Sequence, residues 1–201
     1  MKDYYEQVWE RLPDQLEAPD FELRRRFLLR EARRGDRALD LGCGAGAFTA
    51  VLAEAGADVV GVEVAEAALT RAMAAHGELD FRLAQLEGPL PFADRAFDLV
   101  WASEVIEHVA DTERWLAEVR RVLAPGGRLL LTTPSHGRVR VAVLGVERFS
   151  EPFGDHLHLY TRRSLSSALT DLSFEHVEVH RAAGPPLARR LLLARAIRPA
   201  I

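Results

Sequence analysis

Between residues 37 and 180, short β-rich runs and stretches of helical spacing take turns along the chain, joined by short connections. Arg37–Leu41, Asp58–Val64, Leu79–Gln85, Phe97–Ala102, Arg128–Thr133 and Phe174–His180 read as strands. Ala47–Ala55, Ala65–His76, Thr112–Leu123 and Arg163–Leu172 read as helices, the first two stopped near Gly56 and Gly77. A chain with this rhythm folds as doubly wound α/β, a mostly parallel sheet with helices on both faces. Ligands in such sheets bind beyond the carboxyl ends of the strands, at the switch point. The residues that matter are therefore those just after each strand.

At 201 residues the chain suits one domain. Residues 1–30 are helical and fit a lid, with Tyr4, Tyr5 and Trp9 as candidate lid residues. Residues 36–133 hold the ligand-binding core. The long mixed segment 134–161 fits a substrate-side insertion, and 162–201 complete the C-terminal part. No apolar run reaches the ~18 residues of a membrane span, and no signal core opens the chain. The expectation is a cytoplasmic protein. With 30 acids against 26 bases, a surface built to hold nucleic-acid phosphates is not expected. The single Cys43 excludes an intrachain disulfide and a cysteine-rich zinc site.

Asp40-Leu41-Gly42-Cys43-Gly44-Ala45-Gly46 closes the first strand and opens a helix. Glycines at alternating positions allow a tight turn and let a ligand lie against the backbone. The helix start offers unpaired N–H groups. Glu63 ends the second strand about 20 residues downstream, where a carboxylate can accept from ribose hydroxyls. Taken alone, GCGAGA also fits the fingerprint of a nicotinamide-dinucleotide site.

Four blocks together resolve that choice: ALDLGCGAGAF at 38–48, GVEV at 61–64, LPFADRAFDLVWASEVIEHV at 90–109 and LAPGGRLLLTTP at 123–134. In this set the chain resembles the class I S-adenosylmethionine-dependent methyltransferases, over residues 36 to 180. The resemblance implies a Rossmann-like methyltransferase fold, S-adenosylmethionine as cofactor and a small-molecule acceptor methylated at oxygen or nitrogen. It implies that Gly42, Gly44 and Gly46 pack against the methionine part of the cofactor. Asp40 would order the loop and help hold the ammonium group, and Glu63 would bind the ribose. Ala102 and Ser103 would lie beside the methionine end. Where the family usually places an Asp for the adenine amino group, this chain has Gln85, followed by Leu86.

Ser103-Glu104-Val105-Ile106-Glu107-His108-Val109 follows the fourth strand. On a helical turn Glu104, Glu107 and His108 would share one face, and two carboxylates with an imidazole can bind a divalent ion. The pattern is similar to the metal site of the small-RNA 3′-terminal 2′-O-methyltransferases, in which a later histidine completes the set. His156 falls on that position, which implies a metal-dependent O-methyltransferase acting on vicinal hydroxyls. Without a metal, Glu104, His108 and His156 remain the catalytic candidates, with His136 and His158 as further acid–base groups. A non-catalytic cofactor-binding regulatory module is the third reading. Cys43 reads as packing.

Two expectations concern the C-terminus. Leu187, Leu191 and Ala194, beside Arg189, Arg190 and Arg195, read as a basic amphipathic helix docked on the domain or on a second subunit. The family's last antiparallel strand finds no match after residue 184. A missing strand would expose sheet edges and leave a homo-oligomer open.

Overall fold

The computed structural model describes residues 2–13, 19–85, 88–136, 156–184 and 190–200. Seven strands form one sheet: β1 (Arg37–Leu41), β2 (Asp58–Glu63), β3 (Asp80–Leu83), β4 (Phe97–Ser103), β5 (Leu123–Pro134), β6 (Glu175–Ala182) and β7 (Leu191–Ile197). Their order is β3-β2-β1-β4-β5-β7-β6. The pairs from β3 across to β5 are parallel, whereas β7 runs antiparallel to both β5 and β6. The sheet therefore reverses its winding between β1 and β4, and the carboxyl ends of those two strands form the crevice.

Among the described residues six helices cover it: α1 (Lys2–Arg11), α2 (Phe21–Glu31), α3 (Ala47–Glu54), α4 (Glu66–Ala75), α5 (Thr112–Val122) and α6 (Arg162–Asp171). The period-two alternation of the strands sorts their side chains into two layers. Leu39, Leu41, Val100, Ala102, Leu129 and Leu131 face α5 and α6. Ala38, Val59, Leu99, Trp101 and Leu130 face α2 and α3. Trp101 sits 5.1 Å from Phe48 and 6.2 Å from Phe27, ring to ring, and so anchors both helices to the sheet. Helix α5 starts where Asp111 accepts a hydrogen bond from the Arg114 N–H (2.9 Å). Its Trp115, Leu116, Val119 and Val122 are buried. Among the described residues no helix is long and apolar enough to cross a membrane.

The C-terminus corrects the sequence reading. The final antiparallel strand is present: Leu191–Ile197 is β7, inserted between β5 and β6 with a seven-residue ladder to β5 from Arg128↔Ile197 to Pro134↔Leu191. It is not an amphipathic helix. A short apolar run such as LLLARAI fits either period, and its partners decide. Here β5 and β6 both offer ladder hydrogen bonds, and burial of Leu191, Leu192, Leu193, Ala194 and Ala196 favours the strand. Arg195 reaches Glu31 at 2.9 Å and Arg190 reaches Asp20 at 2.7 Å, so the basic residues tie β7 to α2. The edge that an absent strand would have exposed is filled, which removes that argument for an oligomer. Leu187 and Arg189 lie outside the described residues, as does 137–155, most of the expected insertion.

Candidate active site

The glycine loop is tied down from two sides. The N–H groups of Gly42 and Cys43 donate to the Val62 carbonyl (2.8 and 3.0 Å), which pins the turn to β2. Gly44 and Gly46 have φ of +54° and +86°, the left-handed region that glycine enters without penalty. A Cβ on Gly46 would stand 2.8 Å from Phe81 Cζ, and one on Gly44 would stand 2.9 Å from Trp9 Cζ2. The loop is thus a shallow cradle with Trp9 of α1 over it.

Glu63 organises the same loop. One of its oxygens accepts from the Gly44 N–H (3.0 Å), the other from the Val64 and Ala65 N–H groups (2.7 and 3.2 Å). Burial pushes this carboxyl above its ordinary range, and the three N–H donors oppose that. Its oxygens still carry lone pairs for ribose hydroxyls. Asp40 is buried at the end of β1 and accepts the Thr49 hydroxyl hydrogen bond (2.6 Å), which holds α3 in place. Burial, reinforced by the charge of Glu63, lifts the Asp40 carboxyl to about 7. Both features fit a cationic nucleoside: two buried carboxylates lie beside a glycine turn.

Asp40 therefore makes a testable contribution to stability. Its folded pKa, about 7, lies above the ordinary 3.8. Between those values the folded protein holds a proton that the unfolded chain has released, so this group lowers stability as pH rises through the window and by a constant amount above it. Asp40→Asn should gain on the wild type from pH 4 up to about 7, after which the two melting curves run parallel. Melting temperatures of both proteins measured from pH 5 to 8 check this. A constant difference across that range would contradict it.

Gln85 is exposed just past β3, beside Gly88. Leu86 lies outside the described residues. Ala102 is buried at the end of β4. The Ser103 and Thr132 hydroxyls hydrogen-bond each other at 2.9 Å, joining the ends of β4 and β5.

The segment after β4 departs from the expected single helical face. Glu104 adopts φ +57°, and the only helical turn is the 3₁₀ turn Ile106–His108. The left-handed bend sends Glu104 to Arg24 of α2 (3.3 Å) and to the Thr132 hydroxyl (3.3 Å). It does not join Glu107 and His108. Glu107 is fully buried. One oxygen accepts from the Thr133 hydroxyl (3.0 Å), and the other, without a hydrogen bond among the described residues, lies 4.0 Å from His108 Nε2. Burial first, and the Glu104 charge second, push the Glu107 carboxyl well above its ordinary range.

His156 joins from the far side of the insertion. Its ring centre is 5.0 Å from that of His108 and 5.6 Å from that of buried His136. Single ligand atoms of Glu107, His108 and His156 lie within 4.8 Å of one another. The structure thus assembles three of the four suggested ligands and leaves Glu104 out. His158 donates its backbone N–H to the Glu107 carbonyl (3.1 Å), and its ring nitrogen Nε2 lies 3.3 Å from the Ala110 carbonyl. It supports the turn rather than facing the cluster.

Sequence reading missed Arg24. It is 4% exposed and donates to Ser103 Oγ at 3.2 Å as well as pairing with Glu104. A signal existed: Arg24 is four residues before Leu28 and three after Phe21, so an arginine interrupts the apolar stripe of α2.

Comparison with known proteins agrees with this geometry. A family model described as a methyltransferase domain matches residues 39–131. A ubiquinone biosynthesis O-methyltransferase of Rhizobium johnstonii is 39% identical over 103 residues, covering 49% of this chain and 41% of the relative. A malonyl-[acyl-carrier protein] O-methyltransferase of Erwinia billingiae is 35% identical over 103 residues, covering 51% of the chain and 41% of the relative. The chain thus spans about two fifths of the length of these curated relatives. The crystal structure of an S-adenosylmethionine-dependent methyltransferase from Mesorhizobium loti superposes with TM-score 0.72 at 25% identity, covering 90% of this chain and 98% of that one. With the glycine loop, the acid after β2 and the 3-2-1-4-5-7-6 sheet all in place, residues 39–131 match a methyltransferase domain and the chain carries the fold of the class I S-adenosylmethionine-dependent methyltransferases.

Proposed function

We propose that this chain transfers a methyl group from S-adenosylmethionine to an oxygen of a small-molecule acceptor, with His108 as proton acceptor. The observation that carries the reading is the Glu107 carboxyl buried beside His108 just past the end of β4. When bound, the cofactor supplies a methyl already activated on a sulfonium. The protein then has to align and deprotonate. The acceptor oxygen would take that methyl carbon, with the carbon–sulfur electron pair left on sulfur. The hydroxyl proton goes to His108, whose Nε2 lies 4.0 Å from the Glu107 carboxyl. Gly44, Glu63 and Asp40 hold the cofactor, with Ala102 and Ser103 flanking its methionine end. Relatives named O-methyltransferases support oxygen over nitrogen as the acceptor atom.

The test is S-adenosylhomocysteine release across a panel of phenols, carboxylic acids and amines. Turnover with hydroxyl acceptors is expected. Turnover with amines alone would move the acceptor atom to nitrogen. Cofactor binding with no turnover on any acceptor would favour the regulatory module.

The grouping of Glu107, His108 and His156 within 4.8 Å supports a second reading, a divalent ion holding vicinal hydroxyls. One carboxylate and two imidazoles are a suitable donor set. Activity lost to a chelator and restored by Mg²⁺ or Mn²⁺ would select this reading. Activity indifferent to both would exclude it.

A further inference from the structure

Helix α1 touches both halves of the site, yet it is held there by polar contacts. None of its described side chains is fully buried. On one turn Tyr5 meets the His108 ring at 5.8 Å, while Trp9 stands over Gly44. Between them Glu6 reaches the start of α4. Its two oxygens accept from the Glu66 and Ala67 N–H groups, both at 2.8 Å. That helix start lacks a cap of its own, because Ala65 occupies the N-cap position with no side-chain hydrogen bond. The debt is returned at the other end of α1. Arg71 of α4 donates to the Leu12 and Pro13 carbonyls (2.7 and 3.0 Å), its guanidinium 5.9 Å from the Trp9 ring centre. Each helix caps the other: a carboxylate sits at the positive end of α4, and a guanidinium sits at the negative end of α1.

We propose that Glu6 is a positioning residue, the latch that seats α1 as a wall shared by the cofactor and acceptor pockets. The inference rests on the reading that the glycine loop holds S-adenosylmethionine. A helix with no buried anchor and a few charged tethers opens at low cost. The tethers therefore set how fast the cofactor side opens. Because Tyr5 and Trp9 ride on the same turns, lifting Trp9 from the loop also withdraws Tyr5 from His108. Cofactor exchange and acceptor seating thus become one motion.

Stopped-flow displacement of S-adenosylhomocysteine from the whole chain tests this. Glu6→Ala should release it about tenfold faster than wild type, the effect of losing one charge-assisted helix cap. Glu6→Gln keeps a neutral acceptor and should fall between the two. Arg71→Met loosens the opposite end and should also speed release. Amide exchange in α1 should quicken in all three while the melting temperature holds within a few degrees, which a merely structural role would not produce. Wild-type release rates in both folded Glu6→Ala and folded Arg71→Met would overturn the latch alone. Wild-type protein that binds no S-adenosylhomocysteine would overturn the site reading and the latch with it.

Discussion

Glu63→Ala is expected to weaken S-adenosylmethionine binding by roughly 1–3 kcal/mol, about 5- to 150-fold, and to lower the melting temperature as well. Both effects share one cause. The carboxylate accepts from three backbone N–H groups, at Gly44, Val64 and Ala65, and so shapes the loop that it also serves. Removal leaves donors without partners at a site where Glu63 itself is 6% exposed. A stability loss of about 1–3 kcal/mol moves the midpoint of a domain this size by roughly 2–12 °C. Calorimetric titration with S-adenosylhomocysteine, run well below the variant's midpoint, separates the two effects. Unchanged affinity in folded Glu63→Ala would remove this acid from the cofactor site.

The second large effect lies at the acceptor side. His108→Gln should lower kcat by about 10²- to 10⁴-fold, the range for loss of a positioned acid–base group. Cofactor affinity should stay within about twofold, because His108 touches α1 and His156 rather than the glycine loop. Glu107→Gln should lower kcat less. It keeps the Thr133 hydrogen bond but removes the ionisable carboxyl that faces the imidazole. Turnover and binding measured side by side decide the point. A variant at position 108 with wild-type kcat would assign proton transfer elsewhere.

The core of this site was legible because its signals are local. Alternating glycines demand a turn wherever they stand, and an acid at the end of the second strand is placed by register alone. Gly61 pairs with Asp40 across the β1–β2 ladder, so Glu63 lands beside the loop. Strands one to six were readable for the same reason, with bounds that shifted by a few residues. β5, for example, begins at Leu123 rather than Arg128.

Features that depend on distant partners were not legible. Leu191–Ile197 carries an apolar pattern compatible with either helix or strand, and only the open hydrogen-bonding edges of β5 and β6 select the strand. Glu104 obeys the spacing of a helical turn, yet Arg24, 80 positions earlier, pairs with it in a left-handed bend. The latch between Glu6 and α4 joins residues 60 and 61 positions apart, and nothing in either segment announces the other.

The sequence by itself determined the alternation of strands and helices, the glycine turn and the acid that serves it, since each follows from short-range sterics and side-chain period. Tertiary structure alone decided which charges meet and where the last strand inserts. Those outcomes depend on which buried donors, acceptors and apolar faces remain unmatched once the chain has folded back on itself.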